Sequence, residues 1–121
     1  MIRGKNIVKE KSLTFAIRDV NLFRFMVNDK KEYILSKQLL KSGTSIGAMI
    51  READHAESKA DFIHKMAIAQ KECNETLYWL ELLNKTDYIS DEQFNSMNTD
   101  AVELIRLITS IIKKTKKNIN H

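Results

Sequence analysis

Proline is absent from the 121 residues, and glycine occurs only at positions 4, 43 and 47. A sandwich or barrel of short strands needs turn residues every ten or so positions, so this composition excludes most all-β architectures and favours long helices. A single cysteine, Cys73, rules out an internal disulfide. Its position inside a strongly helical segment reads as a small buried hydrophobe in a reducing compartment rather than as a nucleophile. Histidine is confined to His55, His64 and His121, and no G-x-S-x-G elbow, Walker loop or dinucleotide fingerprint is present. The sequence therefore assigns no catalytic residue, implies no cofactor, and reads as non-enzymatic. Nor is there a run of eighteen uncharged apolar residues, and the first twelve residues lack the apolar centre of a signal peptide. The expectation is a soluble, cytoplasmic protein with no membrane partner.

Apolar residues make up 43% of the chain and charged residues 30%, which is globular composition. A chain of this length forms one domain, here expected to span residues 1–121, and buries roughly two-thirds of the surface its unfolded form exposes. The net charge is +4, but it is unevenly spread. The first eleven residues hold Arg3, Lys5, Lys9 and Lys11 against one glutamate, and residues 113–117 hold Lys113, Lys114, Lys116 and Lys117. The body between them is net negative by three. Any nucleic-acid footprint is thus expected at the termini, through those eight side chains.

Hydrophobic periodicity divides the chain into four helices at about 12–28, 30–57, 59–86 and 91–117. Ser12 is a plausible N-cap for the first, whose apolar residues are too dense for one stripe. Leu13, Ile17 and Val20 suit one face, while Phe15, Leu22 and Phe25 point elsewhere and are predicted to meet another subunit. Asp29 with Glu32 resembles a capping box for the second helix, and Ser58 with Asp61 and Ser90 with Gln93 supply caps for the third and fourth. Gly43 and Gly47 lie four apart on one face of the second helix, where each costs roughly 1 kcal/mol of helix propensity relative to alanine. Close approach of a neighbouring helix is the expected reason for both. Short connections between four amphipathic helices make the fold all-α, an up-and-down antiparallel four-helix bundle.

One metal pattern needs weighing. Glu52 with His55 and Asp61 with His64 are carboxylate-x-x-His pairs like those of carboxylate-bridged bundle sites. Such sites take one pair from each of two helices at mid-bundle, plus carboxylates from the other two. Here both pairs flank one connection at the bundle's end, and Asp19 and Glu103 are the nearest inward carboxylates elsewhere, so no metal site is assigned. Nucleic-acid binding has a pI near 9.2 and the clustered terminal lysines in its favour. Without a recognition helix or RNP signature, such binding would be led by phosphate contacts and weakly sequence-specific.

The segments LSKQLLKSGTSIGAMIREA at 35–53 and DFIHKMAIAQKECNETLYWL at 61–80 resemble the bacterial four-helix bundle proteins named after the intervening sequences of 23S ribosomal RNA genes. The matching elements are Leu35, Gln38, the Ser45-Ile46 pair, Ile50, Glu52 and Ala53, then Phe62, the Ile68-Ala69 pair, Glu75 and Trp79. One departure is Met49, where relatives usually carry asparagine. The resemblance implies association about a five-fold axis into a homopentameric barrel. It also implies a relation to the accessory proteins of diversity-generating retroelements, which engage a polymerase and nucleic acid. The resulting expectation is a non-enzymatic homo-oligomer that binds RNA or DNA through its basic termini. A protein-protein scaffold or adaptor, with a partner such as a polymerase and no nucleic-acid binding, is the alternative.

Overall fold

The computed structural model describes the backbone of residues 2–119 and the side chains of residues 6–118. Four helices follow one another, α1 (Ile2–Asn28), α2 (Leu35–Ala53), α3 (Lys59–Lys85) and α4 (Asp91–Ile119), with no strand among the described residues. Consecutive helices pack as neighbours and α4 returns beside α1, so the four close into an up-and-down bundle. Phe15 and Met26 of α1, Ile46 and Ile50 of α2, Met66 and Leu80 of α3, and Leu104 and Ile108 of α4 fill its core.

Two caps form as the sequence requires. The Asp61 amide donates to Ser58 Oγ at 3.0 Å, opening α3. At α4 the exchange is reciprocal: the Gln93 amide donates to Ser90 Oγ at 3.1 Å, and the Ser90 amide donates to Gln93 Oε1 at 2.9 Å. Two helix starts differ from expectation. Helix α1 begins ten residues before Ser12, because nothing in 2–11 breaks the helix; Ser12 is buried within it and its hydroxyl donates back to the Lys9 carbonyl at 2.9 Å. Helix α2 begins at Leu35 and ends at Ala53, inside the expected 30–57. Asp29 is not its cap. Instead the buried Glu32 carboxylate accepts the amides of Ile34, Leu35 and Ser36 at 3.1, 2.9 and 2.8 Å, taking up three donors that the first turn leaves free.

The glycines allow the closest helix approach. A Cβ at Gly43 would overlap Asp19 Oδ2 and stand 3.2 Å from Phe15 Cε2, and one at Gly47 would meet Ser12 Oγ at 3.1 Å. Both therefore seat α1 against α2. Across the next seam the Thr76 hydroxyl donates to Ser42 Oγ at 3.0 Å.

Candidate functional site

Antiparallel pairing of α1 with α4 decides where the terminal charge goes. Lys11 meets Glu103 at 3.2 Å, and further down α1 Arg18 meets Asp100 and Ser96. Low-numbered residues of α1 thus face high-numbered residues of α4, which brings both basic segments to one end of the bundle. The α2–α3 connection lies at that same end, since Lys9 Nζ is 2.6 Å from Asp54 Oδ2.

The eight sequence-predicted cations separate into three groups. The side chains of Arg3 and Lys5 lie outside the described residues. Lys9 and Lys11 are engaged with Asp54 and Glu103. Lys113, Lys114, Lys116 and Lys117 are exposed and form no ion pair among the described residues. Sequence reasoning missed a fifth member: Arg106 lines one shallow groove on α4 together with Lys113, Lys114 and Lys117, over a floor that includes Ile105 and Thr109. Its signal was spacing, because 106, 110, 113, 114 and 117 fall on one side of a helix. The Gln70 side-chain amide donates to Thr109 Oγ1 at 2.8 Å and ties this floor to α3. No acidic residue lines the groove.

The three α1 side chains expected to meet another subunit face the bundle to different degrees, and Phe25 is only half-buried. Phe15 and Leu22 are only 1% and 8% exposed within their own chain, and Phe25 packs against the core cluster. The inward stripe of α1 is Val8, Ser12, Phe15, Asp19, Leu22 and Met26, spaced alternately four and three apart. The large apolar side chains that α1 leaves exposed among the described residues are Leu13 and Ile17, at 49% and 55%.

The carboxylate and histidine pairs do not converge. Glu52, His55 and Asp61 border one cleft, but Glu52 faces Lys65 at 3.5 Å and Asp61 Oδ2 accepts the Glu57 amide at 3.2 Å. Among the described residues no group of three or more His, Cys, Asp or Glu side chains could hold a metal ion. Glu103 points outward to Lys11. Asp19 is the one inward carboxylate of the two named from sequence: it is fully buried, neither oxygen has a hydrogen-bond partner, and burial pushes its pKa up to about 8. It is therefore a neutral acid at pH 7. Burial, with a smaller contribution from Glu72, likewise pushes the Cys73 thiol up to about 12, leaving it a poor nucleophile. No helix among the described residues is long and apolar enough to cross a membrane.

Comparison with known proteins agrees with this architecture. A crystal structure of a protein with unknown function from the S23 ribosomal protein family of Bacteroides thetaiotaomicron VPI-5482 superposes with a TM-score of 0.90 at 60% sequence identity. The match covers 91% of this chain and 98% of that one. No curated protein matches the sequence. The family model described as 23S rRNA-intervening sequence protein matches residues 4–110, and the chain belongs to that family.

Proposed function

We propose that this chain acts without catalysing a reaction, as an oligomer-forming module that binds RNA or DNA through phosphate contacts at the basic end of the bundle. The observation that carries this reading is the contrast between the two basic segments. Lys9 and Lys11 of α1 are paired with Asp54 and Glu103, whereas Lys113, Lys114, Lys116 and Lys117 of α4 stand exposed without a counter-ion among the described residues. Unpaired lysines on one face attract phosphate and release its counter-ions. Oligomerisation would repeat this face around the assembly, raising avidity without any new contact type. Leu13 and Ile17 are large exposed apolar residues of α1 among the described ones and suit such association, and a five-fold ring is the arrangement the family resemblance favours.

Fluorescence anisotropy with RNA and DNA across a salt series, with light scattering on the same samples, tests the proposal. Affinity should fall linearly in log salt and be lost when Lys113, Lys114, Lys116 and Lys117 are all replaced by glutamine. An intact oligomer that binds neither nucleic acid would contradict it.

That outcome would favour a protein adaptor, a reading with its own structural support at the opposite end of the bundle. The α1–α2 connection presents Tyr33 and Ile34, 55% and 74% exposed, on backbone that Glu32 pins through three amides. A rigid apolar tip suits a pocket on another protein, because little ordering entropy is lost on docking.

A further inference from the structure

We infer that the α4 face bearing Arg106, Lys113, Lys114 and Lys117 docks the phosphate backbone of a nucleic-acid duplex in preference to a single strand. The inference deepens the nucleic-acid reading above and rests on it. Three features of the groove select the duplex.

The first is what lines it. Single-strand sites combine cations with aromatic side chains on which successive bases stack, and stacking supplies much of their affinity. None of the residues lining this groove is aromatic; between its cations lie Ile105 and the hydroxyls of Thr109 and Ser110. Hydroxyls donate to phosphate oxygens and carry no base-stacking surface.

The second is rigidity. The four cations project from one continuous helix whose inner side is locked by the buried Leu104, Ile108, Ile111 and Ile112. Its flank is held to α3 by the Gln70–Thr109 hydrogen bond. The side chains themselves can move, but their attachment points are fixed, so a duplex with its phosphates already ordered docks at less ordering cost than a flexible strand.

The third is dimension and charge sorting. From Arg106 to Lys117 the helix rises about 16 Å. Phosphates of one strand turn away around the duplex axis, but a B-form major groove is about 12 Å wide, so cations spread over that span can reach phosphates of both bordering strands, which a single strand does not offer. The acids of α4 that could oppose them, Asp100 and Glu103, are turned to α1 and paired with Arg18 and Lys11. Contacts of this kind read the backbone alone, so RNA and DNA duplexes share the chemistry and differ in groove shape.

The test uses the full-length protein with three labelled 20-nucleotide probes: duplex RNA, duplex DNA and an unstructured oligouridine strand. Both duplexes, or the one whose groove fits, should bind at least tenfold more tightly than oligouridine. With four phosphates neutralised per subunit, log Kobs should fall against log salt with a slope of about −3 to −4, a weakening of about a hundredfold between 50 and 200 mM. Arg106→Gln, and separately Lys113→Gln, should each reduce that slope by about 0.9. A control pair on exposed α2 positions, Lys37→Gln with Lys41→Gln, removes charge elsewhere and should leave the slope unchanged. All substitutions are at exposed sites, and circular dichroism checks the fold.

Tighter binding of oligouridine would overturn the duplex inference while leaving nucleic-acid binding in place. A slope that drops in the α2 control and not in the α4 variants would overturn the assignment of the face. Absence of binding to all three probes would remove the underlying reading as well.

Discussion

Replacing Asp19 with asparagine should change how stability depends on pH, and by an amount the structure sets. Asp19 is fully exposed to water only on unfolding; in the bundle it is buried against Gly43 with both carboxylate oxygens unpartnered. Burial raises its pKa from 3.8 to about 8. A carboxyl whose folded pKa is raised holds its proton more tightly in the native state. Its contribution is fully present below pH 3.8 and is lost as pH rises through 8. Between those limits the loss is about 1.4 kcal/mol per pH unit, or about 3 kcal/mol from pH 5.5 to 8. Against a typical domain stability of about 5–15 kcal/mol that is a large fraction. Asparagine keeps the shape but cannot ionise. Urea unfolding followed by circular dichroism at pH 5.5, 6.5, 7.5 and 8.5 should therefore show wild type losing stability relative to Asp19→Asn at each step. Every other pH-dependent contribution is common to both proteins and cancels in the difference. A difference that stays flat across the series would refute the reasoning, by showing that Asp19 finds a partner or water in the folded state.

Three further outcomes follow from the packing and caps. Gly43→Ala places a methyl group on the Asp19 carboxyl and should destabilise by about 1–3 kcal/mol. Much of that loss should vanish in an Asp19→Ala background, so a double-mutant cycle by urea unfolding would reveal non-additivity, and additive effects would contradict the contact. Glu32→Ala strips three amides of their shared acceptor and should cost about 2–3 kcal/mol in the same assay. Burial alone would raise the Glu32 pKa, but the amides of Leu35, Ser36 and Ile34 outweigh it and lower the value, so this contribution is present above pH 4.5 and is lost as pH falls through the lowered folded pKa. Asp87 has φ 66°, the left-handed conformation that glycine adopts without steric cost, so Asp87→Gly should raise stability by about 0.5–1 kcal/mol; a melting temperature that falls would count against strain there.

The ends of α3 and α4 were legible in the sequence because their caps are local. Ser58 with Asp61 and Ser90 with Gln93 need only residues three apart, and no distant contact competes with them. Ser12 misleads for the same local reason, since a serine hydroxyl can bond back to the carbonyl three residues earlier as easily as it can cap. Glu32 was assigned to the wrong half of a capping pair: its side chain is long enough to fold over the turn and take the amides ahead of it, and spacing alone does not show that.

The inward face of α1 was disguised by its own polar members. Ser12 and Asp19 interrupt the stripe that contains Val8, Phe15, Leu22 and Met26, so periodicity offered two competing faces and no way to tell which was inside. Burying an acid there is intelligible only with Gly43 opposite, a contact between residues 24 apart in sequence. Terminal charge was equally visible as composition and equally silent about pairing. That Lys9 and Lys11 are neutralised while Arg106 joins the lysines of α4 depends on which helices are neighbours.

Lysine acetylation footprinting of the full-length protein, read by mass spectrometry with and without nucleic acid, is the most direct test of binding through the basic face of α4. Bound duplex should protect Lys113, Lys114 and Lys117 while the exposed Lys37, Lys41, Lys71 and Lys85 keep their free reactivity. Protection spread evenly over all exposed lysines, or absent from α4, would contradict that reading.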